Sequence, residues 1–213
     1  ADEVNCRIIN VEGVDLLFQA AKKRNAHFIH LSTDFVFDGV QGNYKEEDEI
    51  NPLSEYARSK AEAERLTREL CKTEWSIVRT IIVYGLGENL SRSNIVVWAK
   101  GALEKGEPLN IVNDQFRAPT YALDLAIGCI QVIQMKEKGI FHICGPETMS
   151  IVDLVKRIGI HFDYDTSIIS EISSATLNQA AMRPPKTGFN LSKAYEDLEY
   201  RPHTLEESLS KMF

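Results

Sequence analysis

The chain has 213 residues, 44% of them hydrophobic, and its 24 Lys+Arg against 31 Asp+Glu leave a formal net charge of −7. That apolar fraction supports a packed core rather than bulk disorder, and an acidic chain without a clustered Lys/Arg stripe excludes a partner bound through nucleic-acid phosphates. No apolar run reaches the ~18 residues of a membrane span, and the opening Ala1-Asp2-Glu3-Val4-Asn5 is too acidic and polar for a secretory leader, so a cytoplasmic setting without a membrane partner is expected.

The first expected element is a buried helix over 11–23, with apolar residues at 14, 16, 17, 18, 20 and 21 and a basic end at Lys22-Lys23-Arg24. His27-Phe-Ile-His-Leu-Ser32 follows a short turn and reads as a strand. Gly39 and Gly42 mark a loop that runs through Glu46-Glu47-Asp48-Glu49, read as a solvated surface. Asn51-Pro52 is the expected start of a second helix. Its stripe is Tyr56, Ala57, Lys60, Ala61, Ala63, Leu66 and Leu70, with Glu64 and Arg68 as an i,i+4 pair outside it.

Trp75–Tyr84 is an apolar run ended by Gly85-Leu-Gly87, as suits a strand buried on both faces. Helix, strand, helix, strand is the order of a doubly wound parallel α/β sheet. Beyond it the alternation loosens. Helices are expected over 93–104, 122–136 and 150–162, and strands over 109–112 and 139–144. Arg183-Pro-Pro185 is a breaker, and two short helices close the chain. The change of rhythm puts a boundary near 86, with a sheet unit over 1–85, to which helix 122–136 returns, and a smaller α+β unit over 86–213.

The cysteines at 6, 71, 129 and 144 form no C-x-x-C pair, and Cys129 and Cys144 sit in apolar runs as small core residues. His27 and His30 lack a third ligand nearby, so no metal site is expected.

Tyr56-Ala-Arg-Ser-Lys60 sets a phenol and an ammonium four residues apart on one helix face. A free tyrosine titrates near pH 10, too high for acid–base work at neutrality. A close cation that lowered it by ~2–3 units would need roughly 3–4 kcal/mol, within reach in a partly dry cleft. Such a pair also arises by chance, as an aromatic packed under a lysine stem. Its context adds weight: Ser32-Thr33-Asp34 ends the first strand, and ligands of open α/β sheets gather at the carboxyl ends of strands.

His30-Leu-Ser-Thr-Asp-Phe-Val-Phe-Asp-Gly39, Asn51-Pro-Leu, Tyr56-x-x-x-Lys60, Arg79-Thr80, Val83-Tyr-Gly85, Val112-Asn-Asp-Gln-Phe-Arg-Ala-Pro-Thr120, the Gly139-Ile-Phe-His strand and Arg183-Pro184 together resemble an extended short-chain dehydrogenase/reductase. Within that group they most resemble the dTDP-4-dehydrorhamnose reductases, over nearly the whole chain. The resemblance implies a Rossmann-like domain over 1–85 and a mainly substrate-binding domain over 86–213. It implies hydride transfer from NAD or NADP to the 4-keto group of a dTDP-4-keto-6-deoxysugar. Thr33 would bond the keto oxygen, Tyr56 would donate the proton, and Lys60 would hold the nicotinamide ribose and tune Tyr56. Ser32 joins Tyr56 and Lys60 on the cofactor side, and Asp34 supports the strand-end loop. Asn113, Gln115, Arg117 and Arg183 would receive the sugar nucleotide, and a homodimer is the expected assembly.

Two departures stand out. Arg117 occupies a position where a small residue such as Gly is expected, so it either alters the substrate's fit or faces solvent from a loop. None of the twelve glycines forms a G-x-G-x-x-G turn. Two βα units, on the order of 60–80 residues, are therefore expected beyond this sequence, which resumes after the fourth strand of such a sheet and is expected to be inactive without them. A non-catalytic binding subunit of the same fold, such as the methionine adenosyltransferase beta subunit, and a nucleotide-sugar epimerase are the alternatives. Dehydration is disfavoured by Phe35, where dehydratases resembling this chain carry Glu.

Overall fold

The computed structural model describes residues 3–70, 74–87, 93–177 and 181–213; Cys71 lies outside these. The chain turns helical earlier than its apolar pattern predicted. α1 (Glu3–Arg7), a π-helical turn (Ile8–Glu12) and α2 (Gly13–Lys23) follow one another without leaving helical backbone. Asp15 in the first turn of α2 and Lys22 and Lys23 in its last complement the helix dipole. Only one side is covered: Val11, Val14 and Phe18 are buried, whereas Ile9, Leu16 and Leu17 are each more than 60% exposed.

The first sheet is parallel, in the order β1 (Phe28–Thr33), β2 (Trp75–Thr80), β7 (Gly139–His142). Parallel neighbours need long crossovers, and α3 (Glu55–Leu70) and α5 (Ala122–Gln134) lie in them. Its registers place Ser32 beside Arg79 and Arg79 beside His142, so one row across all three strands is polar. The expected continuous strand over 75–84 is broken. Ile82 has φ 30°, a left-handed value unusual for a β-branched residue, and β3 (Val83–Tyr84) leaves to pair with β6 (Thr120–Tyr121). The Thr120 hydroxyl donates to the Ile81 carbonyl at 2.5 Å, and the Thr120 amide to Ile82 at 3.1 Å, which holds this turn.

α3 starts at Glu55, three residues later than Asn51-Pro52 suggested, because the Ser54 hydroxyl accepts the Ala57 amide as a cap. Its expected surface pair is also corrected. Glu64 is fully buried and bonds Arg79 at 2.7 and 2.9 Å, and Ser32 donates to it at 2.5 Å. The acidic loop is not wholly solvated either, since the Glu46 carboxylate accepts the buried His142 amide at 2.9 Å.

In the second half, α4 (Ile95–Glu104) is capped by Asn94 and α6 (Ile151–His161) by Ser150. β4 (Leu109–Val112) pairs in parallel with β9 (Ile169–Ile172). β5 (Phe116–Arg117) lies between β8 (Met149–Ser150) and β10 (Lys186–Thr187). α7 (Ser192–Asp197) and α8 (Leu205–Met212) close the chain, α8 with a Thr204–Glu207 capping box.

Two apolar cores result. One joins Phe37, Val78, Ile81, Leu125, Val132 and Phe141 to the late residues Phe189, Leu191 and Tyr200. The other joins Tyr84, Val96 and Leu103 to Leu154, Ile158 and Leu209. Ile82 packs against both.

Candidate active site at the end of β1

Thr33 is the last residue of β1, and its hydroxyl accepts the Phe35 amide at 3.3 Å while donating to Asp34 at 3.1 Å. The sharp turn after the strand thus carries Phe35 to the first turn of α3. There Tyr56 stands beside the strand end with its ring edge-on to Phe35, centroids 6.4 Å apart. One turn on, the Lys60 ammonium donates to the Leu31 carbonyl at 2.6 Å. The structure therefore brings Thr33, Tyr56 and Lys60 to one strand end, as their spacing suggested.

The electrostatics differ from expectation. Burial pushes the Tyr56 phenol above the ordinary tyrosine value, and Asp34 and Cys6 add to the rise against the opposing Thr33 hydroxyl. The Lys60 ammonium is turned onto the β1 backbone. Burial pulls Lys60 itself down, with Glu64 opposing. The phenol consequently holds its proton at neutrality, which is the state a proton donor needs.

Ser32, alternating to the other face of the strand from Thr33, donates to Glu64, one helical turn beyond Lys60. Arg117 is 2% exposed, which excludes a solvent-facing loop arginine. Its Nη2 donates to the Pro184 carbonyl at 2.7 Å, and its Nη1 to Phe116 at 2.7 Å and Pro185 at 3.2 Å. The Asp34 carboxylate lies 3.8 Å from its Nε. This fork is engaged with protein, so the expected direct contact with substrate is not the geometry found. Asn113 is exposed and donates to Glu171 of β9 at 3.3 Å, and Gln115 is buried with its carbonyl accepting the first amide of α6. Arg183 is exposed and follows directly on Met182.

Sequence reasoning missed the wall opposite Tyr56. A cavity of about 310 Å³ lies between Leu53–Arg58 and Ala181–Met182, with Glu3 and Tyr56 in its lining. Arg183-Pro184 was the only local signal for that wall; its approach to Tyr56 is a long-range event. Gly39 makes the approach possible. Its φ is +79°, and a Cβ there would meet Pro184 at 2.6 Å. A larger cavity, about 550 Å³, lies between α1 and α3 and includes Cys6, Arg7, Val11 and Ser59. The π turn beside it, with Asn10 donating to Ser59 at 3.1 Å, had no signature in the apolar periodicity.

A parallel sheet with helical crossovers, and a hydroxyl, a phenol and an ammonium at its carboxyl edge, define a Rossmann-type α/β protein of the dehydrogenase/reductase class. The family model described as RmlD substrate binding domain matches residues 1–213, and the chain belongs to that family. It is 32% identical over 219 residues to a dTDP-4-dehydrorhamnose reductase from Aggregatibacter actinomycetemcomitans, covering 96% of this chain and 72% of that protein. The beta subunit of methionine adenosyltransferase 2 from Bos taurus is 28% identical over 190 residues, covering 87% of this chain and 56% of that subunit. Among solved structures, dTDP-4-dehydrorhamnose reductase from Bacillus anthracis in complex with NADP superposes with a TM-score of 0.89 at 25% identity, covering all of this chain and 74% of that one.

Proposed function

We propose that the chain forms the catalytic and substrate-binding part of a reductase that transfers hydride from NAD(P)H to the 4-keto group of a dTDP-4-keto-6-deoxysugar. The observation that carries this reading is Tyr56 set edge-on to Phe35 just past Thr33 at the end of β1, with Lys60 one helical turn away and bonded to the Leu31 carbonyl of the same strand. Thr33 bonds the keto oxygen and Tyr56 delivers the proton to it. Tyr56 and Lys60 are the residues of this chain that would hold the nicotinamide ribose; their shared face at the strand end fits that group, whereas no pyrophosphate-cradling glycine turn occurs in the sequence. The bound nicotinamide supplies the hydride.

The family likeness and the NADP-bound neighbour support the cofactor class. In this reading residues 1–85, with α5 returning, make the dinucleotide-binding side, and most of 86–213 makes the sugar-nucleotide side with Arg183 at its mouth; Asn113 and Gln115 flank that side. A homodimer belongs to the same reading, supported by the uncovered Ile9, Leu16 and Leu17; light scattering giving a monomer at all concentrations would remove it.

The test is nicotinamide oxidation by the protein in its whole reading frame, with a dTDP-4-keto-6-deoxysugar as acceptor. Turnover that falls at least ~100-fold in Tyr56→Phe is expected. Equal rates in both proteins would sink the assignment, and tight binding without turnover would point instead to a binding subunit like the methionine adenosyltransferase relative.

A further inference from the structure

We infer that Arg117 is a positioning residue: a buried link from Arg117 through Asp34 ties the Ala181–Pro185 wall of the cavity to the Thr33–Tyr56 pair. The inference rests on the reductase reading and assigns to that site the part that sets the reach between its two walls.

Each step of the link is a contact. The Arg117 guanidinium takes the Pro184 and Pro185 carbonyls on one side. On the other it faces the Asp34 carboxylate and lies over the Phe35 ring, 5.5 Å from its centroid. Asp34 is 3% exposed. One of its oxygens accepts the Thr33 hydroxyl at 3.1 Å, and the other accepts the hydroxyl of Thr187 on β10 in a short bond. Phe35, under the Arg117 guanidinium and bonded through its amide to the Thr33 hydroxyl, meets the Tyr56 ring edge-on. Residues about 150 positions apart in the chain thus share one carboxylate. A planar fork that donates to two consecutive carbonyls and faces an anion is a task for arginine and not for lysine, whose ammonium is a single point of charge.

The consequence concerns the sugar nucleotide and not the nicotinamide. Met182 lines the cavity beside Tyr56, and Arg183 is the next residue, so a wall released from Arg117 lets both drift from Thr33. Misplacement of that kind is costly in rate and in binding. Tyr56 itself stays fixed by α3, and Lys60, bonded to the Leu31 carbonyl, shares none of these bonds, so the nicotinamide side keeps its place.

The experiment compares Arg117→Met, Arg117→Lys and Thr187→Val with the wild type, all in the whole reading frame and each checked for a cooperative thermal transition. Two quantities are read: calorimetric affinity for dTDP-glucose, which lacks the 4-keto group, and KM for the sugar substrate against KM for the nicotinamide. Arg117→Met and Arg117→Lys are expected to weaken dTDP-glucose binding and raise the sugar KM roughly tenfold, with nicotinamide KM unchanged. Thr187→Val is expected to follow in the same direction by about threefold. If Arg117→Met does not fold, Arg117→Lys and Thr187→Val decide. Sugar-side constants within twofold of wild type, or an equal rise in both KM values, would overturn the inference. A wild type that binds dTDP-glucose but does not turn over would overturn the reductase reading alone, since binding still reads the link; a wild type that binds neither would overturn both.

Discussion

Tyr56 keeps its proton because burial raises its phenol, with Asp34 and Cys6 acting in the same direction. For a reduction the protonated phenol is the active form. The rate constant kcat/KM is therefore expected to stay level through neutral pH and to fall only above the ordinary tyrosine value of about 10; an alkaline limb centred near neutrality in the pH–rate profile would contradict the structure. Lys60→Ala should raise the KM for the nicotinamide at least about tenfold while leaving calorimetric binding of dTDP-glucose within twofold, because its ammonium touches the β1 backbone and not the cavity wall. At this scale the sequence was informative where residues sit close in the chain. Thr33, Tyr56 and Lys60 could be named from one strand end and one helical turn. Ser32 and Arg117 could not be placed, because Ser32 alternates to the opposite face of its strand and the partners of Arg117 lie 67 and 68 positions away.

The helix that presents Tyr56 and Lys60 is fastened to the sheet by an ion pair. Glu64, one turn beyond Lys60, meets Arg79 of β2 with both carboxylate oxygens, and Arg79 continues to His142 of β7 at 3.4 Å and to the Glu46 carbonyl at 3.3 Å. Both partners are buried, at 2% and 0% side-chain exposure, so removing one strands the other's charge. Arg79→Met is expected to destabilise the fold by about 3–5 kcal/mol in urea titration, and Glu64→Leu/Arg79→Met to recover much of that loss. A double variant no more stable than the single one would show that the pair is not coupled in this way. Periodicity placed Glu64 outside the apolar stripe and paired it with Arg68, a fair local inference. It failed because the covering sheet supplies a stronger partner on the side that the helix buries.

Across the whole molecule two buried histidines link folding to pH. His30 is 5% exposed with its Nε2 unpartnered, and burial, with Lys60 adding, pushes it down to about 3. His142 stacks on Phe189 at 3.8 Å, donates from Nδ1 to the Tyr44 carbonyl and accepts from Arg79; burial holds it well below its usual range, with the Arg79 charge adding. Both are neutral in the fold and free to charge when unfolded. Stability is thus full above about pH 6.5 and falls as the pH drops below it, by up to ~1.4 kcal/mol per pH unit for each group, for His30 down to about pH 3. Urea midpoints at pH 7 and pH 5 should differ accordingly, and His30→Leu should shrink the difference; an unchanged difference would remove His30 from this account.

By itself the sequence determined the parallel α/β order, the strand end and helix turn that carry Thr33, Tyr56 and Lys60, and the family. These follow from apolar period, turn residues and short motifs, all local properties. Only the tertiary structure decided that Trp75–Tyr84 breaks at Ile82 and that one sheet row is polar. It also decided that Arg117 turns inward to join Asp34 to the Pro184–Pro185 backbone. Each depends on which distant group reaches a buried charge or an uncapped carbonyl first, and no local pattern encodes that competition.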